Sequence, residues 1–454
     1  MKRKFILFVT LFLSVTFSYS ETINLDLNTA KKIALENNPS IKLAREGVTK
    51  SAEQVAEARG NLLPSINAFS SLQHSWDMQE NIMPNFLKDI FVQMNMPGAN
   101  DLPDYLKMSF GLENTVISGL QLQQPVFTGG TIWNGYQISK LGYNIAKSQL
   151  RTTEQQILSD VTSSYYRVLF MKSTLSVSEE ALHSAEENLN QVTKYFDVGK
   201  SSRFDVLRAE VQVANMKPMV ISARNNLKLA ESTLRMVLGL DESDEIRYME
   251  KLEMTYSDLT EKSLDELIEL ALASRPEIEM LDNQKFIAQK QVSISKAAFL
   301  PSVMFGTAYQ YQGQRNDFKF TGDDFFKSIN SSVSISIPIF NGMKSSAKYQ
   351  QAKIAVKETE HQAESLINGI KLEVKGAYFT MQEALEKVQT QQKTIEQARE
   401  AQRLARLMYA EGSSTQLDVL NADLAVQQAQ MNYQQSLLEY NIALSNLKKA
   451  TNQL

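Results

Sequence analysis

Cysteine is absent from this sequence of 454 residues, and histidine occurs only three times. Without cysteine there is no disulfide framework, no thiolate metal site and no cysteine nucleophile. The histidines, His74, His183 and His361, are scattered and show no spacing typical of metal ligands. Because no glycine-rich phosphate loop and no nucleophile with a nearby base stand out either, we expect no enzyme, no cofactor and no metal site.

Proline and glycine are also sparse, at 10 and 18 residues, and they cluster between long uninterrupted stretches. Such spacing is typical of a chain built mostly from long helices. Beyond the first twenty residues there is no run of eighteen apolar residues, so the sequence predicts no transmembrane helix in the mature chain.

Residues 1–20 have the features of a secretory signal peptide. A basic start (Lys2, Arg3, Lys4) precedes about thirteen mostly apolar residues, and small side chains precede a predicted cleavage site near Ser20. Removal of its three positive charges takes the formal net charge from −4 to −7, which makes a nucleic-acid partner unexpected. We therefore expect an exported protein.

A nine-residue segment occurs twice in the chain in similar form. Residues 199–207 read GKSSRFDVL and residues 412–420 read GSSTQLDVL, which is an offset of 213 positions. The same offset places Pro-Val-Phe-Thr-Gly at 125–129 on Pro-Ile-Phe-Asn-Gly at 338–342. A fixed offset of this kind indicates an internal repeat.

Closer to the start of each copy the offset is 237, which superposes Leu-Pro-Ser at 63–65 on Leu-Pro-Ser at 300–302. The first copy therefore carries 24 extra residues between Pro64 and Pro125. We predict two tandem repeats, at 21–262 and 263–454, each with helices, two strands and a long hairpin. The matched prolines and glycines predict the strand–helix junctions: Pro64, Pro125, Gly129, Pro301, Pro338 and Gly342.

Each repeat has a long helical pattern with apolar residues at every seventh position. In the first copy they begin at Val161 and Val168 and reach Phe196; in the second they include Val374, Met381 and Val388. This spacing predicts a coiled-coil seam between packed helices. A helix over about 131–196 would be about 100 Å long at 1.5 Å per residue.

Four amphipathic strands are predicted, at about 65–75, 115–125, 302–312 and 331–340. Each has about the length that crosses a bilayer at a tilt. In lipid a sheet must close into a barrel, and bacterial barrels begin at about eight strands, so several chains would have to contribute. The alternative is a small soluble sheet on a helical domain.

The sequence resembles the TolC-type outer membrane factors. The features that carry the resemblance are the duplication, the two Leu-Pro-Ser segments, the Pro-Val-Phe-Thr-Gly pair and the Gly…Asp-Val-Leu turns, in this order along the chain. The resemblance covers residue 22 to the C-terminus and implies a mainly α fold with membrane β. A long coiled-coil α-barrel would continue into a β-barrel formed across a homotrimer in outer membrane lipid, with a long periplasmic extension.

The implied function is the exit duct of an efflux pump or type I secretion system. A periplasmic adaptor and an inner-membrane transporter would be its partners. The competing hypothesis is a trimeric coiled-coil structural protein without a channel, which explains the seven-residue spacing but not the strands.

The repeated turns have a structural and a functional interpretation. Ser202-x-x-Asp205 and Thr415-x-x-Asp418 fit a helix capping box, preceded by glycines suited to left-handed backbone, Gly199 and Gly412. The resemblance implies that these turns form the periplasmic end, where Asp205 and Asp418 would ring a gate and the two glycines would contact the adaptor. Some members have a further aspartate where this chain has Arg208 and Asn421.

Overall fold

The computed structural model describes residues 23–244 and 246–454. The predicted signal peptide lies outside the described residues. The described chain forms two compact units: one contains the residues up to 49 together with 144–282 and 361–454, and the other contains 50–143 and 283–360. Both predicted repeats contribute to each unit.

Helices make up most of the described residues. They are α1 (Leu27–Asn37), α2 (Pro39–Gly60), α3 (Phe86–Gln93), α4 (Thr131–Asp197), α5 (Arg203–Leu238), α6 (Leu264–Ser274), α7 (Pro276–Ala297), α8 (Lys344–Ala410) and α9 (Gln416–Ala450). The two longest, α4 and α8, have 67 residues each. The long helices predicted from the seven-residue spacing and the sparse breakers are confirmed, and α4 ends one residue beyond the expected range of about 131–196.

The strands are β1 (Ile23–Leu25), β2 (Ser65–His74), β3 (Glu80–Pro84), β4 (Tyr105–Ser109), β5 (Asn114–Phe127), β6 (Ile246–Tyr248), β7 (Ser302–Arg315) and β8 (Phe325–Ser336). The order helix, helix, strand, strand, long helix, shorter helix thus occurs twice: α1, α2, β2, β5, α4, α5 and then α6, α7, β7, β8, α8, α9. In the first occurrence, β3, α3 and β4 are inserted between the two strands.

The fourth strand differs from the prediction of 331–340. It begins six residues earlier and ends at Ser336, before Pro338. The sequence pattern is clearest where isoleucine and serine alternate, but the ladder is set by β7, whose Gly313 pairs with Phe325. Backbone pairing with β7 as far as Gly313 therefore extends the strand into residues that lie before the predicted start at 331.

In the second unit, β2, β5, β7 and β8 form an antiparallel four-stranded sheet in that order, with β2 and β8 as edge strands. The register puts most of the apolar residues of the four strands on one face, for example in the row Ala68, Leu120, Tyr309, Ile329. The next row, Asn67, Gln121, Ala308, Asn330, lies on the opposite, polar face. A register shift interrupts the β5–β7 ladder between Pro125 and Phe127.

The core of the first unit contains the predicted seam. Val161, Val168, Val374, Met381 and Val388 are all buried and belong to one cluster. Further along α4 the series becomes more exposed, and its last member, Phe196, is 39% exposed. The seam is thus packed within this chain only over part of its length.

Short segments complete the same core. The strands β1 and β6 pair in parallel, and the hydroxyl of Tyr165 donates to the carbonyl of Leu25 at 3.3 Å. Leu252 and Leu259, from the stretch after β6, are also buried in this cluster. The connection between the two predicted repeats is therefore part of the core.

Candidate gate turns and strand–helix junctions

Both repeated turns end a long helix with a glycine in the left-handed region. Gly199 has a φ of 73° and Gly412 a φ of 76°, as predicted. The N–H of Lys200 donates to Tyr195 O at 2.7 Å, and the N–H of Ser413 donates to Met408 O at 2.9 Å. A Cβ added at either glycine would meet nothing within 4 Å, so the backbone angle alone requires glycine here.

The predicted capping boxes are confirmed at the start of α5 and α9. The N–H of Asp205 donates to the Ser202 hydroxyl at 3.1 Å, and the N–H of Ser202 donates to Asp205 Oδ2 at 3.2 Å. The N–H of Asp418 donates to the Thr415 hydroxyl at 3.3 Å, and the N–H of Thr415 donates to Asp418 Oδ2 at 2.8 Å. These bonds satisfy N–H groups that lack partners in the first turn of a helix.

A serine in each turn adds a donor that the sequence pattern did not indicate. Ser201 donates its hydroxyl to Asp205 Oδ2 at 3.3 Å, and Ser414 donates to Asp418 Oδ2 at 2.9 Å. The hydrogen bonds from Ser202 and Thr415 hold the pKa of Asp205 and Asp418, respectively, below its ordinary value. Both carboxylates are therefore ionised at neutral pH.

The two turns differ in the charge around the carboxylate. Arg208, one helical turn after Asp205, also lowers the pKa of Asp205 and lies over the Phe204 ring at 4.6 Å. Residue 421, the equivalent position in the second turn, is an asparagine. The negative charge of Asp205 is thus partly compensated locally, whereas Asp418 has no arginine at the equivalent position.

The predicted junction residues lie near the ends of the sheet strands. Pro64 and Pro301 directly precede β2 and β7, Pro338 follows β8 by two residues, and Pro125 lies within β5 beside its register shift.

Gly129 and Gly342, which precede the two long helices, have positive φ angles of 63° and 67°. At Gly129 an added Cβ would approach the Ala297 Cβ to 2.9 Å, so both space and backbone angle require glycine. A Cβ added at Gly342 would meet no atom within 4 Å, so at this position only the backbone angle requires glycine.

A model of the family described as "Outer membrane efflux protein" matches residues 31–240 and 267–453. These two segments together make up most of the chain. The chain belongs to the outer membrane efflux protein family.

Individual relatives cover nearly the whole chain. This efflux protein is 22% identical over 422 residues to the alkaline protease secretion protein AprF of Pseudomonas aeruginosa, covering 92% of this chain and 82% of that one. It is 21% identical over 453 residues to the outer membrane protein TolC of Vibrio cholerae, covering 99% and 95%. The Campylobacter jejuni CmeC outer membrane channel shares its fold, with a TM-score of 0.74 at 17% identity over 100% of this chain and 94% of that one.

The efflux protein is accordingly an exit duct in the outer membrane with a periplasmic extension, acting in an efflux pump or in type I secretion. The predicted fold class, mainly α with membrane β, is confirmed. Members of the family are channels, and the hypothesis of a structural stalk without a channel is set aside. None of the helices in the described residues is long and apolar enough to cross a membrane.

One polar group of this efflux protein was missed by sequence reasoning. Arg406 on α8 donates to Asp423 on α9 at 2.8 Å and to the Ser184 hydroxyl on α4 at 2.5 Å. It therefore links the hairpin of the second repeat to that of the first, beside a cavity of about 400 Å³. No local sequence pattern indicated this group, because Asp423 and Ser184 lie 17 and 222 positions from Arg406 in sequence.

Proposed function

We propose that three copies of this efflux protein assemble into one duct, with twelve strands in a shared barrel and the long helices in a periplasmic tunnel. The observation that carries the proposal is the four-stranded sheet, which has one mostly apolar face and whose edges are β2 and β8. Unpaired strand edges are excluded from lipid, and four strands are too few to close. Antiparallel pairing of β8 with β2 of the next copy would close the ring.

In this assembly the two repeats, 21–262 and 263–454, contribute equivalent strands and hairpins, and residues 1–20 direct export. The partners would be a periplasmic adaptor and an inner-membrane transporter. The tip turns with Gly199 and Gly412 would contact the adaptor. In support, both glycines are exposed and have open space around them.

The gate is proposed at the same end. Asp205 and Asp418, once per chain, would place six carboxylates around the periplasmic entrance. Their lowered pKa values keep them charged at neutral pH, and a ring of carboxylates favours cations in a narrow pore. Because Arg208 compensates part of the charge of Asp205, Asp418 would contribute the stronger negative field.

Two adjacent positions on β8 test the assembly. Val333 lies on the apolar face and Ser332 on the polar face, and both side chains are exposed in the single chain. Arginine facing lipid near the bilayer centre costs about 2–4 kcal/mol. We therefore expect Val333→Arg to reduce the yield of membrane-assembled protein strongly, and Ser332→Arg to assemble and change the ion selectivity of the pore.

The measurements are the mass of the detergent-extracted protein and its conductance in planar bilayers. A trimer that conducts supports the proposal. A stable monomer in the membrane, a trimer without conductance, or equal effects of the two arginine variants would each contradict it.

A further inference from the structure

The insertion between β2 and β5, residues 75–113, exposes an unusual helix face. The apolar residues Phe86, Leu87 and Ile90 of α3, and Met94 directly after it, are spaced to lie on one side of the helix and are 42–69% exposed. The side chain of Lys88 in the same helix is mostly covered, whereas that of Asp89 is exposed. A short surface helix normally keeps its lysines in solvent and its large apolar side chains covered.

This arrangement is held in place by specific bonds. Lys88 Nζ pairs with Asp104 Oδ1 at 2.7 Å, and its side chain is only 22% exposed. Asn85 caps the helix, is buried, and donates its side-chain amide to Pro103 O at 2.8 Å. Since α3 is tied in this way to the segment that precedes β4, its apolar face is a fixed surface of the insertion.

The insertion follows β2, an edge strand, at the end of the sheet away from α2 and α4. At the same end lies the start of the other edge strand, β8, whose second residue, Phe326, is on the polar face of the sheet and is 74% exposed. If β8 pairs with β2 of the next copy, the insertion of one copy emerges directly beside Phe326 of its neighbour.

Charge decides between the candidate occupants of the α3 face. Residues 75–113 contain six acidic and two basic side chains, a net charge of −4. Residues 313–330 have three of each sign, and Lys319 and Lys327 among them are exposed. Contact among three insertions would bring like charges together. Anionic lipid headgroups would not attract a negatively charged segment either. The start of β8, with equal numbers of acidic and basic side chains nearby, would not repel the insertion.

We propose that the apolar face of α3 docks on the start of β8 of a neighbouring copy, covering Phe326, and so fastens adjacent copies at the outer mouth of the duct. This inference rests on the trimer of the proposed function. It gives the 24-residue difference between the repeats a role in assembly.

Because the chain has no native cysteine, only introduced cysteines can form disulfides in a cross-linking test. In native membranes, a chain carrying both Ile90→Cys and Phe326→Cys is oxidised and run on a non-reducing gel. We expect covalent dimers and trimers from this pair and none from either single variant. The matched control combines Ile90→Cys with Lys327→Cys, which lies next to Phe326 on the opposite face of β8 and should link at least tenfold less.

Several outcomes would overturn the proposal. Dimers from Ile90→Cys alone would show that the insertions meet each other, and reaction of that cysteine with a bilayer-confined thiol reagent would show lipid contact. A trimer whose paired cysteines remain free, or join only within one chain, would also contradict it. If the double variant fails to reach the membrane, Ile90→Asp should lower the dissociation temperature of the trimer in detergent and Asp89→Asn should not; equal behaviour would refute the docking.

These results are distinguishable from failure of the proposed function. A conducting trimer without the cross-link removes only the docking of α3. Failure to find any trimer of the unmodified protein removes the assembly itself.

Discussion

The capping carboxylates of the tip turns offer the sharpest test of the gate. We consider the double change Asp205→Asn and Asp418→Asn. In each turn the hydrogen bonds from the serine or threonine side chains and from the capping N–H converge on one oxygen, Oδ2. An asparagine can present its single carbonyl oxygen to these donors, so the helix starts are expected to survive while six charges per trimer are removed.

The expected size of the effect follows from Coulomb's law. A unit charge about 4 Å from a monovalent ion in water changes its occupancy about fivefold, and a divalent ion is affected about thirty-fold. Salt screening at exposed side chains reduces these values. We therefore expect the affinity of divalent cations that block from the periplasmic side to fall by about three- to thirty-fold, with a nearly unchanged yield of trimer.

The assay is single-channel recording in planar bilayers, with divalent cations added to the periplasmic side. The single variants provide an internal control, because Arg208 compensates Asp205: Asp418→Asn should have the larger effect. If the double variant conducts and is blocked like the unmodified protein, the carboxylates only start helices, and the constriction lies deeper in the coiled coil.

Acidification gives a second readout of the same groups. Hydrogen bonds lower the pKa of both carboxylates in the folded protein, so both side chains keep their negative charge as the pH falls towards the ordinary pKa of aspartate. The stability that these bonds contribute is present above the unfolded pKa and is lost as pH falls through the lower folded pKa. Block by divalent cations should therefore persist from pH 7 to about 4, the ordinary pKa range of aspartate, and weaken only below it. Loss of block between pH 7 and 5 would show that these carboxylates are not the blocking site.

Two further predictions concern topology and packing. Epitope tags placed in 75–113 or 316–324 should bind antibody on intact cells, because these loops join strands at the end away from the long helices; labelling only after permeabilisation would reverse the orientation. Gly129→Ala should destabilise the trimer by about 1–3 kcal/mol because of its positive φ and the contact with Ala297. Gly369→Ala, within α8 and with open space around it, should be neutral or stabilising by up to about 1 kcal/mol; equal melting temperatures of the two variants would contradict this reasoning.

The parts of the fold that were predictable are those with a local physical cause. A proline-free stretch with an apolar residue at every seventh position can bury its seam only as a packed helix. The bounds of α4 were therefore predicted nearly to the residue, and α8 was predicted from the same pattern. The turns were equally accessible, since a left-handed glycine followed by a capping box uses residues adjacent in sequence. The start of β8 was missed because residues 325–330 take their strand conformation from pairing with β7.

The same distinction explains the candidate site. Asp205 and Asp418 could be found because their hydrogen-bond partners lie three and four residues away. The role of Arg406 could not be predicted, because one of its hydrogen-bond partners is a serine 222 positions away in sequence. The insertion at 75–113 could be predicted only in part. Its length follows from the change of offset, but the pairing of Lys88 with Asp104, in the segment before β4, joins residues 16 positions apart. The apolar face of α3 is therefore informative only together with the structure, which shows that the face is exposed and that the insertion follows an edge strand, β2, with which a second copy of the chain can pair.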